Sequence, residues 1–92
     1  MMHAEGCHLE PVSKLKNIGA TLSARLTQIG IFTRGDLLEM GPVRAYHRMN
    51  EIAGKKLPVC YNLYSLEAAL RNIDWRQITE EEKQNLKKAA AA

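Results

Sequence analysis

The sequence predicts an all-α domain, a small bundle of five to six short helices. Two observations predict it. Apolar residues recur at helical spacing along most of the chain, and glycines fall at the ends of those stretches rather than in hairpin pairs. A third observation is negative: no stretch alternates polar and apolar residues over the length of a strand.

Residues 1–10 read as a flexible leader and residues 11–92 as one domain. A short helix is expected over Val12 to Lys16, with Ser13 near its start, and "NIG" breaks it. In "ATLSARLTQIG", Leu22, Leu26 and Ile29 form one face of a second helix, with Gly30 as its stop. Ile31 and Phe32 are expected to plug the core. Thr33 is a credible N-cap for a short helix with Asp36 in its first turn. Gly41 ends that helix, and Pro42 suits the first position of the next, where its missing N–H costs nothing. There Val43, Tyr46 and Met49 or Asn50 share one side, and Gly54 closes the helix.

"KKLP" is a short link of the length common between helices. In "VCYNLYSLEAALRNIDW", Leu63, Leu66, Leu70 and Ile73 form a broad apolar stripe, expected to be the central helix of the core. Trp75 is expected to be a major buried anchor beyond its end. Thr79 and Glu82 form a T-x-x-E capping box for a last surface helix running from about Glu80 into the alanine tail.

The chain has 92 residues, 46% apolar and 25% charged, an ordinary balance for one small globular domain. No apolar run reaches the length of a membrane span, and the first residues lack the basic start and apolar stretch of a signal peptide. A cytoplasmic protein with no membrane partner is expected. The net charge is +3, unevenly spread. Between Pro11 and Lys56 eight basic residues face three acidic ones, while Leu57 to Ala92 is balanced. Such an excess on the first half fits either a polyanion-binding face or a solvated surface.

Most chemical candidates have a structural explanation. His3, Cys7 and His8 lie in the leader and are too few for a metal set. Cys60, in an apolar segment, reads as a small buried hydrophobe. Tyr46, Tyr61 and Tyr64 lie at helical spacing on apolar faces and read as core rather than as base-stacking platforms. His47, between Arg44 and Arg48, reads as solvated, and Glu80 to Glu82 are explained by helix capping. No Ser–His–Asp order, metal-ligand spacing or GKT-type phosphate loop is present, so the expectation is a non-enzymatic protein with no cofactor.

The turn "KLKNIGAT" differs. Ile18 would pin it to the core and Gly19 would open the following helix. The first amides of that helix, with the positive end of its dipole, make an anion site. Lys14, Lys16 and Arg25 are near enough in sequence to supplement it. Lys14, Lys16, Asn17, Gly19, Thr21 and Arg25 are therefore the candidate nucleic-acid-binding residues. This is the logic of helix-hairpin-helix modules, which hold phosphates without reading bases. In place of that motif's first glycine stands Asn17, which tolerates unusual backbone angles. "LKNIGATLSARL" and "LLEMGPVRAYHR" also align with Gly19 over Gly41, an offset of 22, like two tandem helix–turn–helix units. At Gly41 the same role is weaker, because Glu39 would face the phosphate and Pro42 removes a donor.

The L-x-N-I-G opening, the G-I-x-T-x-x-D-L turn, the G-P-V-x-A-Y segment and the L-x-A-L…W stretch together resemble the C-terminal domain of the TfoX/Sxy regulators of bacterial natural competence. The resemblance spans Leu15 to Trp75, about two-thirds of the chain. It implies a small helical domain of helix-hairpin-helix or SAM-like geometry in a bacterial cytoplasmic protein. In those regulators the domain follows an α/β domain, and the whole protein promotes transcription of DNA-uptake genes together with a cyclic-AMP receptor protein. No such preceding domain is expected here. Two activities follow as expectations: non-specific DNA association through phosphate contacts, or a protein-interaction module, either a homodimer or a partner of a transcription regulator.

Overall fold

The structure, a computed structural model, describes residues 9–91. Five α-helices make up most of it: α1 (Ala20–Gln28), α2 (Arg34–Met40), α3 (Pro42–Ala53), α4 (Ser65–Arg71) and α5 (Glu80–Ala91). A 3₁₀ turn at Val12–Lys14 precedes α1, a π-helical segment at Cys60–Tyr64 runs into α4, and a second 3₁₀ turn at Trp75–Gln77 precedes α5. Among the described residues the only strand-like pairing is a single antiparallel bridge between Pro11 and Thr33. The all-α expectation holds.

The core gathers the predicted stripes. Leu22 and Leu26 of α1, Leu37 of α2, Ala45, Tyr46 and Met49 of α3, and Leu63, Leu66 and Ala69 around α4 are all buried. Helix boundaries follow local chemistry. The Thr33 hydroxyl accepts from the Asp36 amide, and the Asp36 carboxylate accepts from the Thr33 amide, a reciprocal cap. Thr79 and Glu82 do the same for α5. Gly41, at φ 89°, is both the end of α2 and the start of α3, a corner that only a residue without Cβ turns without strain.

Several expectations are corrected. Only Ile31 plugs the core; Phe32 is 57% exposed. The backbone here is extended, and extended backbone sends successive side chains to opposite sides. The first helix shrinks from Val12–Lys16 to one 3₁₀ turn, Val12–Lys14. The long central helix is two pieces and stops before Ile73. Asn72 adopts a left-handed conformation at φ 56°, its amide donates to the Ala69 carbonyl, and the Ile73 amide donates back to Ala68. That is a Schellman end built on asparagine instead of glycine. Trp75 is only partly buried, and Ile78 takes the anchoring role at 3% exposure. Cys60 is exposed. The tandem likeness is not conformational either: Gly19 sits at φ −91°, and the positive φ of its turn belongs to Asn17, at 76°.

Long-range hydrogen bonds fix the link and the last helix. The Tyr46 hydroxyl donates to the Leu57 carbonyl inside the core, and the Leu57 amide donates to Asn50 Oδ1 at 2.9 Å. His47 is half-buried rather than solvated, its Nε2 donating to the Ala90 carbonyl at 2.6 Å, which ties α5 to α3. The Lys83 ammonium lies over the Trp75 and Tyr64 rings, 5.5 and 5.8 Å from their centroids.

Candidate nucleic-acid interface

Three segments meet beside the Gly19 turn: the first turn of α1, the π-helical segment and the stretch Ile73–Arg76. Between them lies an open cleft of about 750 Å³, lined by Asn17, Gly19, Thr21 and Arg25 together with Tyr61, Asp74 and Arg76. Asn17 builds it. Its Nδ2 donates to the Ile73 carbonyl at 2.7 Å, and its Oδ1 accepts from the Trp75 amide at 3.0 Å. One side chain thus clamps the segment after α4 against the turn before α1, across 56 and 58 residues of sequence. Both ends of the amide are occupied, so Asn17 shapes the cleft instead of offering donors to it.

The start of α1 is bare. Gly19 is its N-cap and carries no side chain to accept from the first turn, and that turn contains no acidic residue. The first ladder bond runs from the Ser23 amide to the Gly19 carbonyl, leaving the amides of Ala20, Thr21 and Leu22 outside the ladder. In contrast, α2 and α5 satisfy their starts with Asp36 and Glu82. Both carboxyls are held below their usual range, first of all by the backbone amides of Phe32 and Thr79 respectively. Space beside Gly19 is open as well: a Cβ placed there meets nothing within 4 Å.

Charge completes the site. Arg25 is half-buried on the cleft wall, and its Nη1 reaches Asn62 Oδ1 at 3.5 Å, the limit of a hydrogen bond. This occupies one of its five donors. Also on the cleft, Arg76 grips Asp74 through Nε at 3.0 Å and Nη2 at 3.1 Å. The Arg76 side chain and then its amide hold the Asp74 carboxyl down to about 2, with Lys16 adding to the effect. Lys16 therefore stands near the rim of the cleft. Lys14 is exposed on the 3₁₀ turn, and neither lysine lines the wall.

Of the six predicted residues, the structure places Asn17, Gly19, Thr21 and Arg25 on one cleft and Lys16 near its rim, while Lys14 is exposed and does not line it. Sequence reasoning missed Tyr61, Asp74 and Arg76. Tyr61 is 71% exposed, not core. The reason is the π-helical segment, in which the Tyr64 amide donates five residues back to the Val59 carbonyl at 3.0 Å. Asn62, almost fully buried, takes the Pro58 carbonyl with its side chain at 2.6 Å. An extra residue in the turn rotates what precedes it by about 100° relative to α4, so ordinary helical spacing misplaces Tyr61. Tyr46 and Tyr64 are buried as expected. Among the described residues no three His, Cys, Asp or Glu side chains gather into a metal site, and His3, Cys7 and His8 lie outside those residues.

Residues 9–90 match the family model of the TfoX C-terminal domain. The chain belongs to that family. Two crystal structures of proteins from Listeria monocytogenes are similar to it. One, in a triclinic form, is described as an uncharacterized protein. It is 37% identical over 85% of this chain and 86% of its own, with a TM-score of 0.74. The other, in a tetragonal form, is described as of unknown function. It is 34% identical over 86% of this chain and 95% of its own, with a TM-score of 0.75. No functionally curated protein matches the chain significantly. Among the described residues of this TfoX C-terminal domain, no helix is long and apolar enough to cross a membrane.

Proposed function

We propose that this TfoX C-terminal domain associates with nucleic acid through the phosphate backbone, at the cleft beside Gly19, as part of a competence-regulator-like role in transcription. One observation carries the reading: the uncapped amides of Ala20, Thr21 and Leu22 open onto the same cleft as Arg25. Helix-start amides and a guanidinium are the donors that phosphate oxygens take. Lys16, which adds to the lowering of the Asp74 carboxyl, supplies further positive charge nearby. Contacts of this kind give position and affinity without sequence information.

The test is fluorescence anisotropy of a labelled oligonucleotide at rising salt, with wild type and the Lys16→Ala/Arg25→Ala double variant. The reading expects affinity that falls with salt, with a log–log slope shallower in the variant by about one per lost phosphate contact. Absence of binding at low salt overturns it. A second reading, protein association, is supported by the exposure of Phe32 (57%) and Leu38 (48%) on and beside α2. It expects a salt-insensitive dimer or hetero-complex by size-exclusion chromatography with light scattering. Tyr46 and Tyr64, buried in the core, drop out of any such patch.

A further inference from the structure

The geometry points to single-stranded nucleic acid, in preference to duplex, as the ligand of this cleft: a phosphate held at the start of α1 and by Arg25, and the adjoining base stacked on Tyr61. The inference rests on the phosphate-binding reading above and adds the ligand class.

Its basis is Tyr61 and what surrounds it. Isolated exposed aromatics are ordinary on protein surfaces. This one is placed in a particular way. It is 71% exposed, on the wall of the cleft that also holds Arg25 and Arg76. It is carried by a π-helical segment, a costly local geometry that recurs at functional sites. That geometry is enforced here from inside, by the buried Asn62 bonded to Pro58 and touching Arg25. The residue that bends the helix to present Tyr61 therefore also touches the guanidinium of Arg25 on the same cleft.

An aromatic face beside cations suits one ligand class more than the other. In a duplex the base faces are buried in the stack, and a protein meets phosphates and groove edges. A tyrosine ring has nothing there to stack on. A single strand offers a phosphate and a free base face one nucleotide apart, and aromatic side chains beside a positive groove are the usual means of holding it. Arg76, on the same cleft, is paired with Asp74, which leaves Arg25, among the described residues, as the lining guanidinium without a carboxylate partner.

The experiment compares a short labelled oligothymidylate with a hairpin duplex of similar length, by anisotropy at one fixed salt concentration, for wild type, Tyr61→Ala and Tyr61→Phe. Trp75, the sole tryptophan, lines the cleft and gives a second, label-free readout through its fluorescence. The expected result is roughly tenfold tighter binding of the single strand, loss of that preference in Tyr61→Ala, its retention in Tyr61→Phe, and a change in Trp75 emission with the single strand. Since Tyr61 is exposed, both variants should melt like wild type, which circular dichroism checks. Equal or tighter binding of the duplex, or full single-strand affinity in Tyr61→Ala, overturns the inference while leaving the phosphate reading standing. Binding of neither probe overturns both.

Discussion

Replacing Gly19 with aspartate should make the domain more stable and its cleft less able to bind an anion. The prediction follows from backbone geometry. Gly19 has φ −91° and ψ −172°, an extended N-cap conformation that any residue adopts, and a Cβ there meets nothing within 4 Å. An aspartate at this position would accept from the bare first-turn amides. On N-cap scales that gain over glycine is a few tenths of a kcal/mol. The negative charge at the helix start adds about 0.3–1 kcal/mol. Together these come to about 0.5–1 kcal/mol, or a rise in Tm of about 2–8 °C for a domain of this size. The same carboxylate fills the place of a phosphate and sets a like charge against it, so affinity for nucleic acid should fall by about tenfold or more. Thermal denaturation by circular dichroism and anisotropy on one preparation measure both. A lower Tm would refute the account of the N-cap. Unchanged affinity in a stabilised variant would refute the assignment of these amides to the phosphate.

Asn17→Ala should cost about 2–4 kcal/mol, because it removes both arms of the clamp and leaves a Cβ residue at φ 76°. Asn17→Gly loses the clamp alone and should fall between that variant and wild type, an ordering that urea denaturation would check. Tyr46→Phe leaves the buried Leu57 carbonyl without its donor and should cost about 1–2 kcal/mol, with the fold unchanged by circular dichroism. Asp74, Asp36 and Glu82 all have lowered carboxyl pKa values, Asp74 to about 2. A lowered folded value means stability fully present above the ordinary carboxylate range and lost as pH falls through the folded value. Melting temperature should therefore hold down to pH of about 4 and drop toward 2, with a smaller drop in Asp74→Asn. The same variant frees Arg76 and should bind nucleic acid more tightly, by anisotropy.

Where local chemistry decides the outcome, the sequence was a sufficient guide. The caps at Thr33 and Thr79, the proline start of α3 and the glycine ends at Gly30 and Gly54 each depend on residues within one turn of each other. The apolar stripes of α1 and α3 needed only helical periodicity. The likeness to the TfoX C-terminal domain, read from motifs between Leu15 and Trp75, extends in the family match to residues 9–90. Half of the candidate site was legible for the same reason: the Gly19 turn, the bare helix start and Arg25 lie within one short stretch.

Tertiary structure alone decided the other half. Tyr61, Asp74 and Arg76 line the same cleft, and nothing in their own neighbourhoods links them to Gly19. Asn17 illustrates why. The sequence showed that it could take a left-handed turn; it could not show that its amide would close on Ile73 and Trp75, because that partnership forms only when the chain returns after α4. Tyr61 illustrates the other cause. Its direction depends on one additional residue in a turn, set by the buried hydrogen bond from Asn62 to Pro58, and periodicity read from sequence assumes that every turn has the same length. Local bonds are written in adjacent residues, whereas a cleft is made where distant segments meet, and only the packed chain brings them together.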